Sequence, residues 1–179
     1  AVIRTINETG YLTGLYNEYE KKLAEKICQY YPSCQKFRML GSGTEAVMVA
    51  LRLARAFTGK DKIVKLKGCY DGWSDHIVYD VRTVNTGSSF AVGIPADTLK
   101  NTSAVMINDI DALEQRFQEN EKDGGTAALI IEPIGQDSGG VPVQLGYHQK
   151  VRELCDKYGV LLIMDEVVTG FRLGMGGAQ

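Results

Sequence analysis

Phe37-Arg38-Met39-Leu40-Gly41-Ser42-Gly43-Thr44-Glu45-Ala46 is the stretch on which the fold turns. A short apolar run, read as a strand over Phe37 to Leu40, stops at a Gly-Ser-Gly-Thr turn, and a helical pattern starts at once. The first N–H groups of a helix have no intrahelical carbonyl, and the helix dipole stands behind them. Such a turn is therefore a site for a phosphate. Two ligands suit it equally at this point: a dinucleotide, through G-x-G-x-x-A, or another phosphorylated cofactor.

Outward from the turn, apolar residues from Val47 to Phe57 cover most of a helix over Thr44 to Thr58, so that helix is expected to be mostly buried. Gly59 supplies its stop. Upstream, Tyr16, Tyr19, Leu23, Ile27 and Tyr30 recur at helical spacing and mark an amphipathic helix ending near Pro32, whereas residues 1–14 read as loop. Downstream, strands are expected at Ile63 to Leu66, Ala104 to Ile107, Ala127 to Ile131 and Val160 to Met164. The stretch from Thr83 to Ser103 reads as a long irregular excursion. Helices are expected from Asp109, as cap, through Asn120, and from Tyr147 to a stop at Gly159. Near-continuous apolar strands alternating with helices predict an α/β fold, with a mostly parallel sheet covered on both faces.

The 179 residues suffice for one domain or part of a larger one, and 44% apolar with 23% charged residues is ordinary for a globular chain. A net charge of −2 gives no case for nucleic acid or an anionic membrane surface, and no apolar run has the length of a membrane span. Cys28, Cys34, Cys69 and Cys155 lack C-x-x-C spacing, which suggests neither a zinc site nor a redox pair and favours reduced thiols in the cytoplasm. The chain opens without Met and stops in Gly176-Gly177-Ala178-Gln179, so both ends read as cut. His76 has no second ligand beside it to make a metal site, and His148 reads as a surface or capping residue.

In open α/β sheets ligands bind beyond the carboxyl ends of the strands. Four predicted strands end in residues suited to this: Gly41 to Thr44, Gly68-Cys69-Tyr70, Glu132 and Asp165. A dinucleotide fold requires an acid ending the second strand about 20 residues after the first glycine. This chain has Lys65-Leu66-Lys67 there, with Asp61 ahead of the strand; the lysines suit only the 2′-phosphate of NADP. Asp165 follows the dry run Val160 to Met164, where a carboxylate is costly unless a cation or several donors meet it. A phosphate cup, an aromatic turn and a carboxylate suit protonated pyridoxal phosphate, whose ring nitrogen needs a counter-charge.

These motifs, Gly41-Ser42-Gly43-Thr44-Glu45-Ala46, Gly68-Cys69-Tyr70, Glu132-Pro133 and Asp165-Glu166-Val167-Val168-Thr169-Gly170-Phe171-Arg172, resemble in order those of the class III pyridoxal-phosphate aminotransferases. The branch most alike is that of glutamate-1-semialdehyde 2,1-aminomutase, an isomerase. The likeness runs from about Gly14 to the last residue. It implies the N-terminal half of the large domain of the fold-type I transferase fold over residues 1–179, without the small domain. Amino-group transfer between an amino donor and a carbonyl acceptor, and a homodimer, are implied as well. By the same resemblance Ser42, Gly43 and Thr44 hold the phosphate, Tyr70 stacks on one ring face and Val167 packs on the other. Asp165 pairs with the ring nitrogen, Glu132 lies near cofactor or substrate amine, and Asp137, beside Gln136, is nearest to the cofactor hydroxyl.

The chain departs from the family pattern in three ways. Tyr70-Asp71-Gly72 stands where Tyr-His-Gly is usual, and the Asn or acid often found after Glu-Pro is represented only by Asp137. No lysine, Lys150 and Lys157 included, matches the Schiff-base position beyond Asp165-Glu166-Val167, so no catalytic residue is assigned and this stretch alone is expected to be inactive. An NADP-binding oxidoreductase domain on Gly41 and Gly43, and a non-catalytic binding module, stand as alternatives.

Overall fold

The computed structural model describes residues 1–10, 17–81, 93–135 and 140–179. The chain divides into two compact units, Ala1–Met39 and Leu40–Gln179. The first contains helices α1 (Val2–Thr9) and α2 (Glu18–Tyr30). Helix α1 corrects the loop expected at the N-terminus: Val2, Ile3 and Ile6 share a helical spacing that Gly10 and Gly14 obscured. Asn17 caps α2 by accepting the Glu20 N–H. Cys28 Sγ, in the last turn of α2, and Cys34 Sγ, beyond its end, lie 3.7 Å apart, a proximity that spacing alone did not suggest.

The second unit contains α3 (Gly43–Thr58), β1 (Lys62–Leu66), α4 (Ala96–Leu99), β2 (Thr102–Val105), α5 (Ile110–Glu121), β3 (Thr126–Ile131), α6 (Tyr147–Tyr158) and β4 (Leu161–Met164). All strand pairs are parallel, in the order β2-β1-β3-β4. Residues 37–40 form no strand, so the apolar run ahead of the glycine turn is a connector. Of residues 83–103, read as an irregular excursion, 83–92 lie outside the described residues, and α4 and the start of β2 fall within 93–103.

Alternation along the strands divides the core. Val64, Leu66, Val105, Leu129 and Ile131 pack against Leu113 and Phe117 of α5 and Val151 and Leu154 of α6. Ile63, Ala128 and Ile130 face α3 through Val47, Leu51 and Ala54. Strand β3 is buried along its whole length because it sits between neighbours and under helices on both faces. Helix α3 buries one face only: Met48 and Leu53 are exposed and Phe57 is 82% exposed. The expectation of a mostly buried helix is corrected here. Apolar residues right round a helix say that it is apolar, not what covers it.

The chain leaves β1 for β2 on one side and then returns to place β3 on the other. Successive connections thus diverge between β1 and β3, and a crevice opens at the carboxyl ends of that pair, where ligands of open parallel sheets lodge.

Candidate functional site

At that crevice Ser42, Gly43, Thr44, Tyr70, Asp165 and Val167 converge. Ser42 caps α3, its hydroxyl accepting the Glu45 N–H at 3.2 Å. The first intrahelical bond runs from Ala46 N–H to Ser42 O, so the N–H groups of Gly43 and Thr44 have no helix carbonyl to donate to. They belong to a cavity of about 190 Å³ lined by Ser42, Gly43, Thr44, Tyr70, Asp71, Gly72, Asp165, Val167 and Val168.

The glycines are required by close approach. A Cβ on Gly43 would lie 2.8 Å from Val167 Cγ2, and one on Gly72, at φ +109°, would lie 3.1 Å from Thr44 Cα. The Trp73 N–H donates to Thr44 Oγ1 at 3.2 Å, so the loop after β1 is tied to the first turn of α3.

Asp165 is placed by the sheet. Its N–H donates to Ile131 O at 2.8 Å, continuing the β3–β4 ladder by one residue, and its Oδ1 accepts the Val167 N–H at 3.0 Å. The carboxylate is thereby held at the rim, nearly buried, with Val167 and Val168 turned onto the cavity wall. Glu132 is 1% exposed and accepts the Tyr70 N–H on Oε1 at 2.8 Å. It therefore braces the Tyr70 turn and is not among the residues lining the cavity. Asp137 and Gln136 lie outside the described residues.

Asp71, noted in the sequence only as a departure from Tyr-His-Gly, lies inside the cavity wall and is 1% exposed. Burial, opposed by Lys65 and reinforced by the Asp165 and Glu132 carboxylates, pushes its pKa up from 3.8 to about 7. Lys65 Nζ stands 3.3 Å from Asp71 Oδ2, but neither carboxylate oxygen has an aligned hydrogen bond among the described residues. The Lys65 ammonium is fully buried, which removes it as a partner for a nucleotide 2′-phosphate. Lysine reads as exposed from its charge; only packing shows that it points into the protein. Of the histidines, His76 Nδ1 is 3.3 Å from Thr98 O, and His148 lies in the first turn of α6.

The donor set suits a phosphate at the head of α3, a flat ring between Tyr70 and Val167, and a cationic nitrogen at Asp165. Comparison with known proteins agrees. A family model for class-III aminotransferases matches residues 1–178, and the chain belongs to that family. It is 44% identical over 174 residues to the glutamate-1-semialdehyde 2,1-aminomutase of Ignicoccus hospitalis, covering 95% of this chain and 40% of that protein. An omega-transaminase from Sphaerobacter thermophilus superposes with a TM-score of 0.88 at 34% identity, over 99% of this chain and 42% of that one. A glutamate-1-semialdehyde aminomutase from Pseudomonas aeruginosa gives 0.81 at 27% identity, over 98% and 38%. The described unit Leu40–Gln179 is thus built on the parallel-sheet architecture of the fold-type I transaminases, and the chain spans about two fifths of its relatives' length.

Proposed function

We propose that the full-length protein binds pyridoxal phosphate at the head of α3 and uses it to move an amino group between an amino donor and a carbonyl acceptor. The observation that supports this most is the pairing of a helix N-terminus capped by Ser42 with a buried carboxylate across one small cavity, Ser42 to Thr44 facing Asp165. When bound, the cofactor supplies an electron sink for the substrate's α-carbon. Gly43 and Thr44 N–H groups and the Ser42 and Thr44 hydroxyls would hold its phosphate. Tyr70 and Val167 would orient the ring, and Asp165 would keep the proton on the ring nitrogen. Glu132 would keep the Tyr70 turn in place, and Asp137 would lie near the cofactor hydroxyl. None of the lysines in residues 1–179 matches the family's Schiff-base position, and none of them is proposed for that role.

The likeness to the Ignicoccus protein favours aminomutation of an amino aldehyde over transfer between two molecules. A homodimer and a cytoplasmic location belong to the same proposal, supported by the family and by the four free cysteines; no helix among the described residues is long and apolar enough to cross a membrane. Titrating the full-length protein with pyridoxal phosphate, then offering glutamate 1-semialdehyde alone against an amine with a separate keto acid, tests both levels. Saturable uptake with turnover of the single substrate is expected. No uptake would end the reading, and turnover only with the pair would move it to a transaminase.

A further inference from the structure

Lys65 is among the largest fully buried side chains of the described residues. It lies on the β1 face shared with Ile63, toward α3, where a Met or Leu would fill the space without the desolvation cost of an ammonium. Its surroundings explain why a cation sits there. Nζ donates to the carbonyls of Cys69 at 2.7 Å, Ile77 at 3.0 Å and Tyr79 at 3.1 Å, and stands 3.3 Å from Asp71 Oδ2. All four oxygens belong to the loop that leaves the sheet at Gly68 and returns at Val81. Its neck is closed by the Gly68 N–H on Asp80 O at 2.7 Å and by a bridge between Gly68 and Val81.

That loop has no regular structure of its own from Tyr70 to Asp80 beyond one turn, yet it forms a wall of the cavity through Tyr70, Asp71 and Gly72. We propose that Lys65 is a positioning residue: its ammonium clamps the 69–79 loop from within and so sets the angle at which Tyr70 meets the cofactor ring. This rests on the pyridoxal-phosphate reading of the cavity. Lys65 touches no reacting atom; it acts through the backbone on either side of Tyr70 and through Asp71. Burial and the nearby Asp165 and Glu132 carboxylates raise the pKa of Asp71, and Lys65, the cation in contact with it, opposes that rise.

The test uses the full-length protein with pyridoxal phosphate. Lys65→Met keeps the length of the side chain and removes every donor. At a temperature where the variant is folded, cofactor affinity should fall tenfold or more. The visible circular dichroism of the bound cofactor, which reports how the ring is seated, should drop by at least half. Affinity for inorganic phosphate, held by the α3 turn, should change less than threefold. A folded Lys65→Met protein with wild-type affinity and an unchanged dichroic band overturns the clamp, because a merely structural lysine would lower only the melting temperature. If Lys65→Met does not fold, Asp71→Asn, which keeps the three carbonyl contacts, should still cost about threefold in affinity and alter the band. Wild-type values there overturn the clamp as well. A wild-type protein that takes up no pyridoxal phosphate overturns the cofactor reading and this inference with it.

Discussion

Helix α3 follows the 37–40 connector and α5 follows strand β2, and their N-termini are prepared for opposite ends. Asp109 caps α5, its own carboxylate accepting the Ala112 N–H at 2.9 Å, and Asp111 adds a second acid in the first turn. The positive end of that dipole is answered from within the chain, and the larger cavity beside it, about 510 Å³, is lined by the same two acids. Helix α3 is capped by neutral Ser42, and its one first-turn acid, Glu45, folds back over Gly41. Its leading N–H groups are left facing a smaller cavity with Asp165 across from them. Cavity size is therefore a poor guide to the site here. The charge already spent at each helix head is the better one.

The largest expected effect lies at the α3 cavity. Asp165→Asn in the full-length protein should cut turnover about a hundredfold or more while leaving the melt nearly unchanged, because the ring nitrogen loses its counter-charge. Near-normal turnover would detach Asp165 from the chemistry. Next comes a change confined to the α5 side. Phe117 is fully buried, in edge contact with Tyr158 at 5.7 Å between centroids, so Phe117→Ala should cost about 3–5 kcal/mol in denaturant unfolding. Cofactor affinity of the folded variant should stay within about twofold; a larger loss would mean that the two helix heads are coupled.

Asp71 gives an effect of similar or smaller size that depends on pH. Its folded pKa is raised by burial from 3.8 to about 7, so the folded state holds the proton more tightly than the unfolded chain does. Its contribution to stability is present in full below 3.8 and is lost as pH rises toward about 7. The loss from this group is on the order of a few kcal/mol. Urea unfolding of cofactor-free wild type and Asp71→Asn across that window should show the variant with a flatter profile. Parallel profiles would contradict the burial assigned to Asp71. The smallest effect is the most symmetrical. Ser42→Ala and Asp109→Ala should each cost about 1 kcal/mol of stability as lost caps, but only Ser42→Ala should weaken cofactor binding. Equal affinity losses would erase the distinction between the two helices.

Much of this frame was legible before the structure. Ser42, Gly43, Thr44, Tyr70 and Asp165 were picked out because punctuation by glycine and an acid after a dry strand are local signals, and they do meet at one cavity. Asp109 as a cap, and Gly59 and Gly159 as helix ends, were equally local. What escaped was set by tertiary packing. Phe37 to Leu40 has the composition of a strand but no strand partner among the described residues, and α3 is apolar on faces that the described chain leaves uncovered. Lys65 was read only as one of two lysines that could meet the 2′-phosphate of NADP. Its burial became visible only when the alternation of β1 put it beside Ile63, beneath a loop whose carbonyls it collects. Glu132, expected near cofactor or substrate amine, also accepts the Tyr70 N–H, a contact that no local signal announced.

The head of α3, not of α5, is the proposed seat of the pyridoxal-phosphate phosphate. Amide hydrogen exchange on the full-length protein tests it directly, with pyridoxal phosphate and NADP added separately. Protection of residues 42–46 by pyridoxal phosphate alone, with residues 109–112 unchanged, is the result expected. Protection of residues 42–46 by NADP and not by pyridoxal phosphate would contradict it.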